Sequence, residues 1–414
     1  MVMNLQSINK KAQVAARSCV VLTALVLPFS TAALNILPLL AVLCWLAGGT
    51  VRADLTRLFK HPLTFPILLF VMWAAVTAVW AVVPLDMSLE ALRKYRKYIC
   101  LLLLLVIMNG DTAWRDRTLN ALYLSLIVLC FLCVGIALGV PGLPKMDPYQ
   151  GAIMMKNHIT QGFLMAILCV LAVWKMKYAD VLWQRIVGVL AFILPIFVTF
   201  YLTNGRTGYV CVAAAVGFAA LWFVPTAKLK IGVVAALMIA MVGVFFTSDR
   251  IQTRVAEIGT DIEQYEKGNN QTSSGLRLTY WSRSMQMFKE NPVGGVGIGS
   301  WGYQYCKMEP ENIDNPQACK NVRIGNSHNE FLMVLSQYGI VGFALFIWLL
   351  VRSGICGVGL DDVGRWLFFG FYSTFLVGCL FNSFIWDVTE GGLFMLMLGT
   401  MLGIPLSAQL SQRG

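Results

Sequence analysis

The sequence predicts an all-α integral membrane protein of about twelve transmembrane helices, with one large polar loop. Of its 414 residues, 58% are hydrophobic and only 13% are charged, and the mean hydropathy is +0.69. Soluble domains carry about a quarter charged residues. The apolar residues also fall in runs close to the roughly 20 residues needed to cross a hydrocarbon core of about 30 Å. Composition and run length together exclude an ordinary soluble domain.

Twelve apolar runs alternate with polar segments along the chain. They lie near residues 18–29, 31–48, 64–83, 96–109, 117–140, 157–174, 185–203, 207–226, 229–247, 328–351, 364–385 and 391–409. We therefore expect nine spans in residues 1–247, a loop at 248–326 that contains amphipathic helices, and three more spans in residues 327–414. An even number of spans places both termini on the same side of the membrane.

The distribution of basic residues predicts that this side is the cytoplasm. With the N-terminus inside, 16 of the 32 Lys and Arg residues fall in inside segments and 7 fall in short outside loops. Short cytoplasmic loops carry such an excess of Lys and Arg, whereas long loops cross the membrane largely regardless of charge. The net charge of +11 therefore indicates membrane topology and not a nucleic-acid partner.

Four cations depart from this pattern, because Arg93, Lys94, Arg96 and Lys97 would lie outside. They could anchor lipid headgroups, or the neighbouring span boundaries could be wrong. The functional interpretation is a basic collar, residues 93–97, that contacts an anionic lipid-linked substrate.

The loop is predicted to contain two helices, one near residues 251–265 and a second from an N-cap at Ser274 to Glu290. An apolar stripe at Trp281, Met285 and Phe288 would cover the membrane surface or the helical bundle. The glycine-rich segment 294–301 has no Walker lysine, so we interpret it as a flexible hinge and not as a nucleotide site. Cys306 and Cys319 could form a disulfide if the compartment is oxidising.

His328 is the strongest candidate for chemistry. Ser327 and Glu330 have the S-x-x-E spacing of a capping box directly before an apolar run, which would place His328 at the first helical position. The positive end of the helix dipole would keep the ring neutral, and a neutral His can take a proton from a hydroxyl. The alternative is an ordinary polar residue at the membrane interface.

Two arginines are candidates for binding an anion. Arg206 lies in a tight turn between two spans with no acidic residue nearby, so its partner is either distant in sequence or an anionic ligand. Arg277 lies in the first turn of the second loop helix. The guanidinium fork binds two phosphate oxygens at once, and free N–H groups at a helix start also favour anions. Either arginine could instead be a solvated or snorkelling side chain. Asp387 and Glu390 could orient His328, pair with an arginine, or cap a helix.

These features together resemble the O-antigen ligase and polymerase superfamily of bacterial glycan-assembly membrane proteins. The residues that carry the resemblance are the turn at Arg206, Arg277 in the loop helix, the Asn291-Pro292…Gly295-Val296-Gly297 segment, and above all Ser327-His328-Asn329-Glu330-Phe331-Leu332. The resemblance extends over the whole chain, with many spans and one large periplasmic loop before the tenth.

The resemblance implies a bacterial inner-membrane enzyme with a periplasmic active site and no metal, nucleotide or other cofactor. It would transfer a glycan from an undecaprenyl-diphosphate donor to a sugar hydroxyl of the lipid A–core acceptor, with inversion. Related polymerases join glycan repeats, and related oligosaccharyltransferases modify protein serines. The short tail after the last predicted span favours the ligase.

By the same resemblance, Arg206 and Arg277 would bind the pyrophosphate and His328 would be the catalytic base. Asp387 matches a functional aspartate by position more than by motif.

A transporter of lipid-linked glycans is the alternative from another class. It would place charges near the bilayer midplane and use broken helices in paired halves. Here the candidate cations lie at one interface and no internal repeat is visible, which favours an interfacial enzyme.

Overall fold

The computed structural model describes residues 2–154, 156–222, 224–267, 269, 271–309, 312, 318, 319, 322 and 325–403, with the backbone alone for residues 2–6. These residues form helices and connecting segments, with no strand among them. The helices are α1 (Val2–Val26), α2 (Ala33–Ala47), α3 (Val51–Lys60), α4 (Thr64–Val76), α5 (Leu85–Arg93), α6 (Arg96–Met108), α7 (Thr112–Ala137), α8 (His158–Lys177), α9 (Leu182–Phe197), α10 (Arg206–Trp222), α11 (Ala227–Thr247), α12 (Asp249–Glu266), α13 (Ser273–Glu290), α14 (Trp301–Met308), α15 (Glu330–Val358), α16 (Asp362–Cys379) and α17 (Val388–Met401).

Each of the twelve predicted apolar runs contains a helix. Within the described residues, five helices are long and apolar enough to cross a membrane: α7, α8, α9 with its π-helical extension to Leu202, α11 and α15. A sixth is possible if α2 and α3, which meet at a bend of 115°, count as one broken span. Helices α4, α10 and α17 are apolar but shorter. The protein is therefore an all-helical multi-pass membrane protein.

The core is built around α8. Every residue from Thr160 to Trp174 is buried, because α9, α10 and α16 pack around this helix. Helix α10 approaches α8 at a pair of glycines, where a Cβ on Gly208 would lie 2.9 Å from the Cα of Gly162. Small residues of this kind let two helix backbones come close inside a membrane. In contrast, no residue of α11 is buried.

Several predicted boundaries were wrong. Residues 85–93, expected in an outside loop, form α5, and α16 ends at Cys379, so residues 380–387 are an irregular segment and not the end of the eleventh span. The N-cap of α13 is Thr272, two residues before the predicted Ser274, and its side chain accepts a hydrogen bond from the Gly275 N–H. Its buried face is formed by Gly275, Thr279, Ser284 and Met287.

The predicted apolar stripe on α13 is therefore not the packing face. Met285, one of its three members, is 37% exposed. The buried face carries mostly small and polar residues, and α13 packs against α15.

The glycine-rich segment is a packed strap and not a hinge. The backbone N–H groups of Val296 and Gly297 each donate a 3.0 Å hydrogen bond to α15, to the carbonyls of Ser336 and Gln337. Helix α15 is interrupted at Gly339, whose φ of 63° is non-helical. A Cβ at Gly339 would lie 2.2 Å from the Val293 oxygen, so only glycine fits this crossing.

The structure contains the Cys306–Cys319 disulfide that the sequence left open. Three sequence predictions fall wholly or partly outside the described residues. They are the end of the first loop helix at Gly268-Asn269-Asn270, the far end of the twelfth span at 404–409, and Arg413 as one of the 16 inside Lys and Arg residues.

Candidate active site

His328 lies in the loop that leads into α15, in a left-handed backbone conformation with φ of 51°. Its N–H donates to Asn326 Oδ1 at 2.8 Å, and the Ser327 hydroxyl donates to the carbonyl of Asn329 at 2.6 Å. Left-handed residues other than glycine are uncommon and need support from their surroundings. These two bonds provide it, so the ring is held in a defined place.

The predicted capping box does not form. The N-cap of α15 is Asn329, whose side chain accepts from the Leu332 N–H, and His328 precedes the helix. The Glu330 carboxylate instead accepts a 2.8 Å bond from the Ile385 N–H. The reason is that the irregular segment after α16 has backbone donors that are buried and need an acceptor.

A connected series of hydrogen bonds runs from His328 to Asp387. The Nδ1 atom of His328 lies 2.8 Å from Asn382 Oδ1, and Asn382 Nδ2 donates to Asp387 Oδ2 at 2.9 Å. Asn382 is only 3% exposed. The suggestion from the sequence that Asp387 could orient His328 therefore has a structural route, although it passes through a residue that sequence reasoning missed.

The environment of His328 favours a neutral imidazole. Burial lowers the pKa of His328, the positive charge of Arg277 lowers it further, and the hydrogen bond with Asn382 acts in the opposite direction. The ring stacks on Tyr280 of α13, with centroids 5.8 Å apart and planes at 16°. Burial and a neighbouring cation, and not a helix N-terminus, are thus the causes of this shift.

The predicted basic collar divides into two pairs. Lys94 lies over the ring of Trp386, with Nζ 3.8 Å from the centroid. Lys97 donates to the backbone carbonyls of Ile385 and Asp387, the latter at 2.8 Å. Both lysines therefore hold the segment that carries Asp387.

The other pair, Arg93 and Arg96, is exposed, and Arg96 donates to Asn35 in the first turn of α2. The structure does not bring this pair to His328.

Lysine charges surround Asp387 as well. Burial raises the pKa of the Asp387 carboxyl, whereas Lys97, the Asn382 amide, Lys94 and Lys156 act to lower it. Glu390, one turn further along, is buried and accepts from the Thr160 hydroxyl at the start of α8. It therefore ties α17 to α8 and does not contact an arginine.

Arg206, the first residue of α10, has acidic partners that are distant in sequence. Its guanidinium contacts Glu257 Oε2 at 3.0 Å and Asp261 Oδ2 at 3.3 Å, and it also donates to the Ser274 hydroxyl. Asp261 accepts from the Ser274 N–H at 3.1 Å. The sequence predicted either a distant partner or an anionic ligand, and the structure shows the distant partners.

Burial raises the pKa of Asp261, but hydrogen bonds from Ser274 and Arg206 outweigh this effect and lower the pKa overall. The carboxylate is therefore charged and holds α13 against the start of α10.

Arg277 lies beside Arg206 but has no such partner among the described residues. Its only hydrogen bond there is a 3.5 Å contact with the hydroxyl of Thr207. Burial lowers the pKa of Arg277, and the charge of Arg206 lowers it further. Two half-buried guanidinium groups that repel each other form a place where an anion would be stabilised.

Contacts connect Tyr280, His328, Asn382 and Asp387, and Arg277 of α13 lies near enough for its charge to lower the pKa of His328. Sequence reasoning missed Asn382 and Tyr280. Asn382 had a signal, because it is a polar residue inside the apolar run 364–385, and polar groups in such runs often mark functional sites. Tyr280 had none.

Two cavities lie away from this site. One, of about 540 Å³, is lined by residues that include Arg115, Lys175 and Trp183, and the other, of about 120 Å³, by Arg17, Asp54 and Arg57 among others. Among the described residues, no group of three or more His, Cys, Asp or Glu side chains could hold a metal ion.

The fold is that of a multi-pass, all-helical membrane protein, and the candidate site places two arginines near a half-buried histidine. Comparison with known families gives this class a name: residues 189–347, from α9 into α15, match the family described as O-antigen ligase. This match covers less than half of the chain, and it supports membership of the O-antigen ligase superfamily. The matched segment contains Arg206, Arg277 and His328, while Asn382 and Asp387 lie beyond it. No curated protein matched the chain.

Proposed function

We propose that this protein transfers O-antigen glycan from undecaprenyl diphosphate to a sugar hydroxyl of lipid A–core, in lipopolysaccharide assembly. The observation that carries the proposal is the proximity of two arginines to His328, since the charge of Arg206 acts on Arg277 and the charge of Arg277 acts on His328. A glycosyl diphosphate needs charge stabilisation on its departing phosphates and a base for the acceptor hydroxyl. Family membership supports a reaction of this ligase or polymerase type.

In this mechanism, His328 Nε2 takes the proton of the acceptor hydroxyl. The hydroxyl oxygen forms a new bond to the anomeric carbon from the side opposite the diphosphate. The bond between the anomeric carbon and the phosphate oxygen breaks, and undecaprenyl diphosphate leaves with the electron pair. A single displacement of this kind inverts the anomeric centre. General-base catalysis contributes a factor of roughly 10² to 10⁴.

The arginine pair stabilises the leaving group. Arg277 offers its guanidinium fork without a carboxylate partner among the described residues, and Arg206 is near enough for its charge to act on Arg277. Fixed positive groups in a partly buried site stabilise developing negative charge more strongly than they would in water. A bound diphosphate would also relieve the repulsion between the two arginines.

The proposal includes an orientation in the bacterial inner membrane. The helices of all twelve predicted apolar runs would cross or enter the bilayer. Both termini would be cytoplasmic and the segment 248–326 would lie in the periplasm. The excess of Lys and Arg on the inside supports this orientation. The Cys306–Cys319 disulfide supports an oxidising compartment for the loop.

Deleting the protein distinguishes the ligase from its relatives. Loss of a ligase leaves lipid A–core uncapped while lipid-linked polymer accumulates, and the gel profile of the lipopolysaccharide shows both. Core capped with a single repeat would identify a polymerase instead. Normal lipopolysaccharide together with an unmodified glycoprotein would identify a protein oligosaccharyltransferase, and lipid-linked glycan trapped on the cytoplasmic face would identify a transporter.

The variant His328→Ala, expressed in the deletion strain, tests the catalytic assignment. We expect no ladder of capped core, because the acceptor hydroxyl has no base, while binding of the diphosphate donor persists. His61→Ala is the matched control, since His61 contacts the carbonyl of Leu402 away from this site. A wild-type ladder from His328→Ala would rule out the general base.

A further inference from the structure

Asn382 is a buried amide that connects the two ionisable groups of the site. It lies between His328 and Asp387, 2.8 Å from one and 2.9 Å from the other. It belongs to neither α16 nor α17 but to the irregular segment between them. A buried amide costs free energy unless its donors and acceptors are satisfied. Its position between the two groups therefore needs an explanation beyond packing.

The chemistry of its neighbours fixes which way the amide points. An ionised carboxylate only accepts hydrogen bonds, so Asp387 requires the NH₂ group of Asn382. Asn326 supplies a second constraint. Its Oδ1 accepts from the His328 N–H at 2.8 Å, so its NH₂ group faces Asn382 Oδ1, at 3.5 Å. Both neighbours therefore require that Asn382 presents its oxygen towards His328.

This orientation determines where the proton on the imidazole sits. Because Asn382 Oδ1 can only accept, the Nδ1 atom of His328 must carry the hydrogen. In a neutral ring the Nε2 atom is then free of hydrogen and can accept one. The tautomer of a histidine is set in this way by the partner of its other nitrogen.

Other contacts hold this arrangement in place. Lys97 donates to the carbonyl of Asp387 at 2.8 Å and so holds the 380–387 segment, while Tyr280 stacks on the imidazole of His328. The titratable and charged groups around the connection come from five parts of the chain: Lys94 and Lys97 at the α5–α6 junction, Lys156 before α8, Arg277 and Tyr280 on α13, Glu330 on α15, and Asp387 and Glu390 at the start of α17.

We propose that Asn382 is a positioning residue: it couples Asp387 to His328 and holds the imidazole with Nδ1 protonated and Nε2 directed to the acceptor hydroxyl. When Nε2 takes the proton, the ring becomes a cation that donates to the Asn382 oxygen. The Asp387 carboxylate polarises the amide and stabilises that cation. The proposal rests on the proposed function for its catalytic consequence, but the tautomer it predicts is independent of any substrate.

The tautomer can be measured without substrate. The chain has three histidines, so ¹⁵N-histidine spectra of the full-length protein in nanodiscs can be assigned with His61→Gln and His158→Gln. We expect His328 to carry its proton on Nδ1 in the wild-type protein, and Asn382→Ala to convert it to a mixture of tautomers. A wild-type His328 protonated on Nε2, or a spectrum that Asn382→Ala leaves unchanged, would overturn the proposal.

The pH dependence of transfer supplies a second test, in which two variants should shift in opposite directions. A general base works when neutral, so the rate rises as pH passes through the pKa of His328. Asn382→Ala removes a hydrogen bond that raises this pKa, so the acid limb should move to lower pH. Asn382→Asp adds a negative charge beside the ring, which raises the pKa, so the limb should move to higher pH.

For Asn382→Ala we also expect kcat to fall about 100-fold with little change in donor affinity, because only the base is disturbed. The matched control is Asn329→Ala, which removes the cap of α15 and should lower thermal stability without moving the pH limb. Shifts of both Asn382 variants in the same direction, or in neither, would contradict the positioning role. If the wild-type protein transfers no glycan, the proposed function fails while the spectra still decide the tautomer.

Discussion

The charge of Arg206 acts on Arg277, but the two arginines have different hydrogen-bonding partners. Arg206 is paired with two carboxylates, whereas Arg277 contacts a hydroxyl. A buried or half-buried charge is costly unless it is paired and hydrogen-bonded. At the scale of single residues, we therefore propose that Arg277 is the guanidinium that binds an anion, whereas two ion pairs already fix the orientation of Arg206.

For Arg206, even lysine should fail as a replacement. A lysine has one ammonium group, so it cannot contact Glu257 and Asp261 through separate nitrogens and also reach a phosphate. We expect Arg206→Lys to lose most transfer activity and to weaken donor binding, measured by the lipopolysaccharide profile and by binding of undecaprenyl diphosphate to the purified protein. Full activity would remove the argument from the guanidinium fork.

At the scale of elements, α12 and α13 form a cover over the start of α10. Asp261 of α12 accepts from both Ser274 of α13 and Arg206 of α10, so one carboxylate joins three helices. Glu257 is more exposed, at 37%, and also pairs with Arg254 at 2.6 Å. We therefore propose different roles for the two carboxylates: Asp261 is structural, and Glu257 is displaced when a diphosphate binds.

Neutral substitutions of these carboxylates should separate the two roles. Asp261→Asn should destabilise the folded protein by about 1–3 kcal/mol, since hydrogen bonds to charged groups have this magnitude. Glu257→Gln should leave stability unchanged and bind undecaprenyl diphosphate a few-fold more tightly, because a competing negative charge is removed. Thermal unfolding and donor titrations of both variants measure this, and weaker donor binding by Glu257→Gln would argue against displacement.

The crossing of α8 and α10 sets the position of Arg206. Because Gly208 touches Gly162, Gly208→Ala would push α8 and α10 apart. Arg206, which lies two residues before Gly208, would move with α10. We expect lower thermal stability and lower activity. Gly217→Ala on the same helix is the control, since no atom lies within 4 Å of its added Cβ and it should change neither. An active, stable Gly208→Ala would show that α10 tolerates the shift.

At the scale of the whole molecule, the candidate site lies near one end of α8, and Lys175, one of the cations predicted to lie inside, is near the other end. Thr160 near its start contacts Glu390 beside the site, and Lys175 near its end lines the larger cavity. At 1.5 Å per residue, these positions are roughly 22 Å apart along the helix. The predicted outside and inside faces of the protein therefore correspond to the two ends of α8.

Labelling from outside the cell tests which end faces the periplasm. In spheroplasts, a membrane-impermeant maleimide should add label to Glu263→Cys on the exposed face of α12. It should reach Lys60→Cys, exposed at the end of α3, only after permeabilisation. The parent protein provides the background from its own cysteines. The reverse result would invert the proposed orientation.

How much of this molecule could be predicted differs between its local and its long-range features. The apolar runs placed a helix in each expected region, because burial in lipid or core requires apolar residues over a whole helix. The same reasoning gave the wrong end for α16 and the wrong cap for α15. The side chains of Asn329 and Glu330 make hydrogen bonds with the backbone of residues 380–387, which are distant in sequence.

The sequence by itself determined the helical membrane class and the candidates Arg206, Arg277 and His328, because composition, run length and short motifs are properties of neighbouring residues. Only the tertiary structure joined His328 to Asn382 across 54 positions and Lys97 to Asp387 across 290, and only it paired Arg206 with α12. Such contacts depend on how helices cross and where they break. Residues so far apart share no spacing or periodicity from which the pairing could be read.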